Sequence, residues 1–528
     1  MCFSMFSSMT QRQRSWLSIA GIWAVLLVSA ATRPLALPDE GRYAEVGRWM
    51  WMSGDWLAPR LDGLPFFHKP PLLHWLQASS FAVLGVNPWS ARLIPALHAG
   101  LMLIGLYLVT RHEKGERVAR TAVLMLGSSL GILIGGQYVN HDMLVASWIS
   151  IAVWAFASAI NRDDDLPDVR LALIGFAACA LGLLSKGLIG VVLPGAVLMT
   201  WLCWTGQHRR LLLLPWVRGL FVFGTIGLPW FIAAQIKYAG LFDYLIIGQH
   251  FSRFTGNTFN NQWSWWFYPL VLICLLFPWS LICIAGARPS QWLEIWRIER
   301  TAIDHRWTSL QWIWVMVITA FFSFPKSKIV GYIFPVLPPL ACIASMIWHR
   351  WRLKDQVRAR SFFTLMIISL GLSLGVNELA IRHTLKHASQ DVAQVLRCAM
   401  DADDRVYVTG DYPYDLPFYA QLSQALVVVE DWEEARRSSG DNWRRELFEA
   451  ADFDSVAAPN LQPKLALYQA RVNAWLVTPN DFDAETLPPG WYVNFKGKAW
   501  TLWARQSSRV TMRAGRNIDG PLDCRGPQ

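Results

Sequence analysis

Long apolar segments separated by short polar turns occupy most of the chain. An apolar stretch of about 20 residues is long enough to cross the hydrocarbon core of a bilayer as a helix. The pattern predicts membrane-spanning helices at the following positions: 16–37, 91–110, 119–136, 141–160, 171–187, 188–204, 211–236, 264–288, 307–323, 331–349 and 360–378. The expected fold is therefore an α-helical polytopic membrane protein with about 11 to 13 transmembrane helices.

The loops between these segments predict the orientation of the chain, because Lys and Arg concentrate in cytoplasmic loops. Every second loop is charged, and these loops lie at 111–117, 161–170, 205–210, 288–300 and 349–360. We expect them to lie in the cytoplasm together with the N-terminus. The basic residues before the first segment also fit a cleaved signal peptide, but the length of the segment favours an uncleaved helix. The segment 71–85 is apolar but short, so we expect it to be re-entrant or interfacial.

The texture of the sequence changes after residue 378, where charged residues become frequent. Strand-like runs at 405–409, 425–430, 474–478 and 500–504 alternate with helix-like stretches such as 432–450. This alternation predicts a soluble α/β domain. We therefore expect a transmembrane domain at 1–378, with a first outer loop at 38–77, and a second domain at 379–528 on the extracytoplasmic side.

Composition agrees with a membrane protein. Only 16% of the residues are charged, whereas a soluble domain has about 25%. The 30 Trp residues fit rings placed at the two membrane–water interfaces. The net charge of +10 suits anionic lipids or phosphate-bearing substrates, and the basic loops alone also account for it. No nucleic-acid-binding module is recognisable, so nucleic acid is not expected as a partner.

The 8 cysteines contain no CxxC pair and indicate neither a zinc knuckle nor a redox motif. Most lie in apolar segments, where Cys behaves as a small apolar residue. Cys398 and Cys524 both fall in the polar tail. An oxidising compartment would permit a disulfide between them, but the sequence does not establish one.

Polar and ionisable residues gather in the turns that the orientation places outside the cytoplasm. They are Asp39, Glu40, His68, Lys69, Asn140, His141, Asp142, Ser185, Lys186, Lys237, Asp243, His250, Arg253, Lys326 and Lys328. The middles of the predicted spans contain few such residues, mainly His98 and Arg218. An ion-coupled transporter places its ionisable groups near the middle of the membrane. The distribution therefore favours a reaction at the outer interface over transport.

The stretch 38–77 is the strongest candidate for chemistry. Pro70 and Pro71 hold the preceding Lys69 in extended backbone, so a cation is presented rigidly near two acids. This suggests a charged lipid as substrate, although an interfacial loop with Trp anchors has the same composition. Lys186 and Lys326 equally fit snorkelling to headgroups, and His250 fits an ordinary loop histidine. Asp39 and Asp142 are harder to explain without a function, because an acid beside an apolar span is costly.

Several motifs together resemble a known family. They are PDEGRYAEVGRWMWMSGDW at 38–56, FFHKPPLLHWL at 66–76, NHD at 140–142, SKGLIG at 185–190, QHFSRF at 249–254 and FFSFPKSKIVGYIFPVLPPLA at 321–341. They are similar to the bacterial lipid A aminoarabinose transferases, within the protein-mannosyltransferase-like group of polytopic GT-C glycosyltransferases. The resemblance covers about residues 16 to 345, and the tail is matched only by position and texture.

The resemblance implies a multi-pass protein of the bacterial inner membrane whose active site and C-terminal domain are periplasmic. It implies a donor in which a sugar, 4-amino-4-deoxy-L-arabinose, is attached to undecaprenyl phosphate. The acceptor would be a phosphate of lipid A, transfer would invert the anomeric centre, and the protein would be a monomer among membrane lipids. Two alternatives remain open: a transferase with the same donor type that acts on proteins or another surface glycan, and a lipid or sugar transporter.

The resemblance also assigns roles to particular residues. The catalytic acids would be Asp39 and Asp142, with Glu40 beside them. The donor phosphate would be bound by Lys69, Arg253, Lys328 and Tyr332. A divalent metal such as zinc would be bound by His68 and His250. At position 68 the family usually has Glu, so His68 places the metal requirement in doubt.

Overall fold

The computed structural model describes residues 9–162, 166–252, 261–286, 303–354, 359–454 and 460–505. The chain divides into two compact units. The helical unit comprises Met1–Thr32, His68–Leu73 and Arg92–Glu378, and the α/β unit comprises Arg33–Phe67, His74–Ala91 and Leu379–Gln528. Most of the predicted outer loop 38–77 thus groups with the tail. The division into domains 1–378 and 379–528 stays a prediction.

The first half of the chain is almost entirely helical. Its helices are α1 Gln11–Ser29, α2 Asp39–Ser53, α3 Leu72–Leu84, α4 Pro88–Lys114, α5 Glu116–Gly127, α6 Leu130–Gly135, α7 His141–Ile160, α8 Val169–Lys186, α9 Ile189–Trp204 and α10 Trp216–Lys237. A hairpin of strands β1 Arg60–Leu61 and β2 Leu64–Pro65 follows α2. A 3-10 helix at His208–Leu213 precedes α10, and a π-helix at Asp243–Ser252 follows it.

The helices continue through α11 Phe267–Leu275, α12 Trp279–Gly286, α13 Ile303–Ser323, α14 Leu337–Leu353 and α15 Ala359–His387, with a 3-10 helix at Val330–Val336 before α14. The tail contains helices α16 Gln390–Ala399, α17 Leu416–Ala420, α18 Trp432–Ser438, α19 Trp443–Ala451 and α20 Ala466–Gln469. Its strands are β3 Val406–Val408, β4 Val427–Val429, β5 Leu461–Gln462, β6 Trp475–Pro479, β7 Trp491–Lys496 and β8 Trp500–Arg505.

Six helical segments within the described residues are long and apolar enough to cross a membrane. They are Pro88–Lys114, His141–Ile160, Val169–Lys186, Trp216–Lys237, Val330–Leu353 and Arg360–His387. The polytopic helical membrane protein expected from the sequence is therefore confirmed. Each predicted span overlaps a described helix, but some are divided: 119–136 is interrupted at Ser128 and Ser129, and 264–288 at Phe277 and Pro278.

The helical unit is held together by close packing of small and large apolar side chains. Most of α7 is buried, and it packs along α8. Gly182 of α8 and Gly190 of α9 allow these two helices to approach closely, since a Cβ on Gly182 would lie 3.0 Å from the Cα of Gly190. Small residues at such crossings are the usual basis of helix association in membranes. The C-terminal part of α8 and the start of α9 are thereby held close together.

The tail forms a six-stranded sheet with the order β5-β4-β3-β6-β8-β7. The first four strands in this order are parallel, and β8 pairs antiparallel with β6 and β7. The α/β prediction is confirmed, and β3, β4, β6 and β8 coincide with the four predicted strands. The predicted helix at 432–450 is two helices, α18 and α19. Cys398 is disulfide-bonded, and Cys524 lies outside the described residues.

The first outer segment is more ordered than a simple loop. Helix α2 begins directly at Asp39 and ends at Ser53, and the following Gly54 caps it with a φ of 69°, in the left-handed region. The turn between β1 and β2 is formed by Asp62 and Gly63, with φ of 55° and 78°. Asp-Gly is a favoured pair for such two-residue hairpin turns. The 13-residue helix α3 is too short to span a bilayer.

Candidate active site

Asp142 lies in the first turn of α7. The side chain of Asn140 caps this helix by accepting a hydrogen bond from the backbone N–H of Asp142, 3.2 Å away. A carboxylate is favoured at a helix N-terminus, where unpaired N–H groups and the helix dipole are positive. Asp142 is nevertheless buried, so its charge needs a partner close by.

Lys186, in the last turn of α8, supplies that partner. Its ammonium donates to Asp142 Oδ1, and the two side chains are 7% and 6% exposed. A cation at a helix C-terminus is favoured for the same reason as an anion at an N-terminus. The neighbouring His141 ring contacts the Ser185 carbonyl through Nδ1 at 2.8 Å, which ties the two helix ends together. The turns at 140–142 and 185–186 thus form one buried charged cluster.

The segment 328–332 lies over this ion pair. The Lys186 ammonium is 4.3 Å from the centre of the Tyr332 ring, a favourable cation–π distance. Gly331 lies against Asp142, and a Cβ at this position would overlap the carboxylate. Only a glycine therefore allows the backbone to approach the carboxylate this closely. Tyr332 was expected at the site from the sequence, and the structure brings it together with Asp142.

Lys328 is buried just before this segment. Its ammonium donates to the carbonyls of Trp263, at 2.9 Å, and Pro325. Burial lowers the pKa of Lys328. An ammonium has three N–H donors, so the two carbonyls leave one donor for an anion. The backbone around it is held by pairing of Gln262 with Ser327.

Lys69 and His68 belong to the helical unit as well. The Lys69 ammonium donates to the carbonyl of His68 at 2.8 Å, so this cation is turned back toward its own backbone. The His68 ring lies 6.0 Å from the ring of Tyr244 in the π-helix. Both side chains are half-buried. The rigid, extended presentation of Lys69 expected from Pro70 and Pro71 stays a prediction.

Asp39 and Glu40 lie in the α/β unit, at the start of α2. Asp39 is 29% exposed and pairs with Arg42 on the next turn. Glu40 is fully buried, pairs with Arg33, and accepts a hydrogen bond from the backbone N–H of Ala36 at 2.8 Å. These contacts tie Glu40 to the chain that enters α2. Asp39 is therefore more accessible than Glu40.

Comparisons with known proteins show which proteins this chain is similar to. Residues 68–233, which include Lys69, Asp142 and Lys186, match the model for dolichyl-phosphate-mannose-protein mannosyltransferases. The chain is 28% identical over 349 residues to an undecaprenyl phosphate-alpha-4-amino-4-deoxy-L-arabinose arabinosyl transferase 2 of Pseudomonas fluorescens. It is 29% identical over 375 residues to a Pseudomonas aeruginosa arabinosyl transferase for the same sugar. The resemblance that the motifs indicate is confirmed: the chain is similar to the aminoarabinose transferases.

These matches cover 65% and 69% of this chain, and 58% and 65% of the two relatives. The matched part is therefore less than two thirds of each relative's length. Among solved structures, ArnT from Cupriavidus metallidurans bound to undecaprenyl phosphate has a TM-score of 0.78 at 23% identity, covering 93% of this chain and 98% of that one. The apo state of the same protein has a TM-score of 0.75. The fold of the chain is thus that of the aminoarabinose transferases.

The metal implied by this family has an incomplete donor set in the described residues. No group of three or more His, Cys, Asp or Glu side chains in that part of the chain is placed to hold a metal ion. The backbone of His250 lies in the π-helix Asp243–Ser252, but its side chain is outside the described part. Zinc takes three or four protein ligands, and His68 alone does not provide them.

Arg253 lies outside the described residues, so its predicted role in phosphate binding stays a prediction. Sequence reasoning gave no role at the site to two residues, Lys186 and Arg42, that the structure places beside predicted ones. Lys186 was noted in the sequence, but an isolated Lys near a helix end cannot be told from a side chain that snorkels to the lipid headgroups. Arg42 lies one helical turn after Asp39, and the i, i+3 spacing was the available signal.

Proposed function

We propose that this aminoarabinose transferase relative is an inverting glycosyltransferase. It would move 4-amino-4-deoxy-L-arabinose from undecaprenyl phosphate to a phosphate of lipid A at the periplasmic face of the inner membrane. The observation that carries the proposal is the buried Asp142–Lys186 pair beneath Tyr332, in a chain with the ArnT fold. Buried charges of this kind in a membrane protein are costly and mark functional sites.

The donor phosphate would be bound by the cations of the helical unit. As the bond between the sugar C1 and the phosphate oxygen breaks, its electron pair remains on undecaprenyl phosphate, which gains negative charge. Lys69 and Lys328 would stabilise that charge, together with Arg253 and the hydroxyl of Tyr332. The remaining donor of Lys328 and its buried position support this role, because an ammonium is most effective where water is excluded.

The acids would act on the sugar and the acceptor. A lipid A phosphate oxygen attacks C1 from the face opposite the leaving group, so one displacement inverts the anomeric centre. The attacking oxygen is already anionic at neutral pH, and no proton has to be removed from it. Asp39 and Asp142 would therefore orient the reactants, with Lys186 fixing the Asp142 carboxylate. For a hydroxyl acceptor, one of these acids would serve instead as general base.

The orientation follows the positive-inside pattern of the loops. The charged loops at 111–117 and 205–210 would lie in the cytoplasm, whereas the turns at 140–142 and 185–187 would face the periplasm. This orientation gives the site access to a lipid-linked donor in the outer leaflet. The soluble sheet of the tail would then also lie in the periplasm.

The proposal is tested with purified protein in nanodiscs supplied with the undecaprenyl-phosphate-linked sugar and lipid A. We expect transfer, measured by mass spectrometry of the product, and competition by undecaprenyl phosphate. Lys69→Gln and Lys328→Gln should raise the donor KM and lower kcat. Lys326→Gln is the matched control, because Lys326 is two residues from Lys328 but exposed. Equal behaviour of Lys326→Gln and Lys328→Gln would contradict the phosphate-binding assignment.

The same assay separates the alternative functions. Transfer to a peptide or another surface glycan, with lipid A left unmodified, would show that the acceptor has been misassigned. Movement of the lipid-linked sugar across the nanodisc or vesicle membrane without any glycosylated product would indicate a transporter. Either result overturns the proposed acceptor, and the second also overturns the enzyme class.

A further inference from the structure

Arg42 connects Asp39 to the sheet-bearing tail of the chain. Its guanidinium pairs with Asp39 on α2 and with Glu446 on α19. The Arg42 and Glu446 side chains are each 12% exposed, whereas Asp39 is 29% exposed. A guanidinium has five N–H donors in a planar fork, so it can hold two carboxylates at once. The accessible acid of the proposed active site is thus fixed through one shared cation.

Tyr414 holds the second carboxylate in place. Its hydroxyl donates to Glu446 Oε2 at 2.6 Å, and its ring lies 5.5 Å from the Arg42 guanidinium. Burial and the adjacent Glu446 carboxylate raise the pKa of Tyr414, so the hydroxyl keeps the proton that it donates. Glu446 consequently receives hydrogen bonds from both Arg42 and Tyr414, which together hold its carboxylate in one orientation.

Helix α2 lies close to the backbone of the tail at Tyr414 and Asp415. A Cβ on Gly41 would lie 3.0 Å from the backbone nitrogen of Asp415 and 3.1 Å from the carbonyl carbon of Tyr414. The backbone N–H of Leu35 also donates to the Tyr419 hydroxyl at 2.7 Å. The start of α2 is therefore packed directly against the segment that carries Tyr414. Backbone atoms form part of this contact, so it does not depend on the charged side chains alone.

We propose that Glu446 and Tyr414 are positioning residues for Asp39, and this rests on the proposed function of Asp39. The Asp39, Arg42 and Glu446 side chains together have two negative charges and one positive charge. Arg42 is divided between the two acids, so Glu446 limits how fully Arg42 neutralises Asp39. Glu446 thereby keeps Asp39 oriented for a substrate. The tail of the chain would contribute to the reaction through this contact.

Replacing Glu446 by Gln keeps the shape of the side chain and removes its charge. Arg42 would then pair with Asp39 alone, and Asp39 would be drawn away from the substrate. We expect kcat to fall about 10-fold, within the loss of up to about 100-fold that a 1 Å misplacement can cause. The KM values for donor and acceptor should change less than about twofold, because neither substrate touches Glu446. Glu446→Asp, which keeps the charge, should retain more activity than Glu446→Gln.

Glu449→Gln is the matched control. Glu449 lies on the same helix and pairs with Arg445 at 2.6 Å, four residues earlier. It should leave kcat and KM unchanged. Thermal unfolding of each variant in detergent shows whether the fold is kept. If Glu446→Gln does not fold, Tyr414→Phe replaces it, and a smaller loss of kcat at constant KM is then expected.

A double variant tests whether Glu446 acts through Asp39. In the Asp39→Asn background, Glu446→Gln should change the residual rate by less than about twofold, since residues acting as a unit are not additive. A folded Glu446→Gln variant with the kcat of the wild type would overturn the inference, as would a full additional loss in the double variant. Absence of transfer by the wild type itself would instead overturn the proposed function, and the inference with it.

Discussion

Removing the cation from the buried Asp142–Lys186 pair should destabilise the protein and abolish transfer. Lys186→Met keeps the length and apolar body of the side chain but leaves the Asp142 carboxylate without its ammonium partner. Both side chains are at most 7% exposed, so water cannot replace the lost partner. The same change removes the cation–π contact with the Tyr332 ring at 4.3 Å.

The magnitude follows from the burial of the pair. Two unit charges 4 Å apart attract by about 4 kcal/mol at an effective dielectric constant near 20, and these two groups are in direct contact. Removing one partner of a buried ion pair lowers the free energy of unfolding by about 3–5 kcal/mol. Replacing both partners with neutral groups removes the uncompensated charge. The free energy of unfolding of the double variant Asp142→Asn/Lys186→Met should therefore be within about 1–2 kcal/mol of the wild-type value.

The assay is denaturant or thermal unfolding in one detergent, with transfer measured on the same samples. The two single variants should each be less stable than the double variant, and all three should lose transfer activity. The reasoning is refuted if the losses of the single variants add up in the double variant, because additive losses indicate no interaction between the two groups. It is also refuted if Lys186→Met is as stable as the wild type.

Two further predictions concern a close approach and a buried acid. Gly331→Ala should lower the free energy of unfolding by about 1–3 kcal/mol through overpacking, because the new Cβ would overlap the Asp142 carboxylate. The same overlap should lower kcat. The control Gly371→Ala, at a position with open space around it, should change neither stability nor kcat in the same unfolding and transfer assays. Burial raises the pKa of Asp62 from 3.8 to about 8, and Glu45 adds to the effect, although the hydrogen bond from the Leu426 backbone N–H opposes it. The folded state therefore binds the extra proton, and stability should fall as pH rises from about 4 to about 8, by at most roughly 1.4 kcal/mol per pH unit. Asp62→Asn should lose this pH dependence in thermal unfolding between pH 5 and pH 8.5; an unchanged slope would contradict the buried protonated acid.

Much of the fold could be predicted because its signals are local. A transmembrane helix needs only its own apolar residues, so α7, α8 and α10 were visible in the hydropathy pattern. Strands β3 and β4 are short apolar runs bounded by polar residues. Strand β5 has only 2 residues, and β7 exposes much of its length, so neither has a clear periodic signal. Helix α2 was missed because its aromatic and charged residues resemble an interfacial loop.

The candidate site was predicted where one residue was unusual by itself. Asp142 stood out because an acid at the edge of an apolar span is costly. Lys186 did not stand out, since its importance depends on the packing of α8 against α7. Arg42 and Glu446 are 404 positions apart in the sequence, and neither residue type is unusual in its own segment. Their contact depends on tertiary structure, which a single sequence does not reveal.

The central claim is that the chain transfers a pentosamine from undecaprenyl phosphate to lipid A. The most direct measurement is mass spectrometry of lipid A from cells that lack their own transferase and express either this chain or Asp39→Asn, with insertion of both proteins verified. A pentosamine-sized mass increase with the wild type, absent with Asp39→Asn, is the predicted result. Unmodified lipid A in cells containing correctly inserted wild-type protein and the lipid-linked donor would contradict the claim.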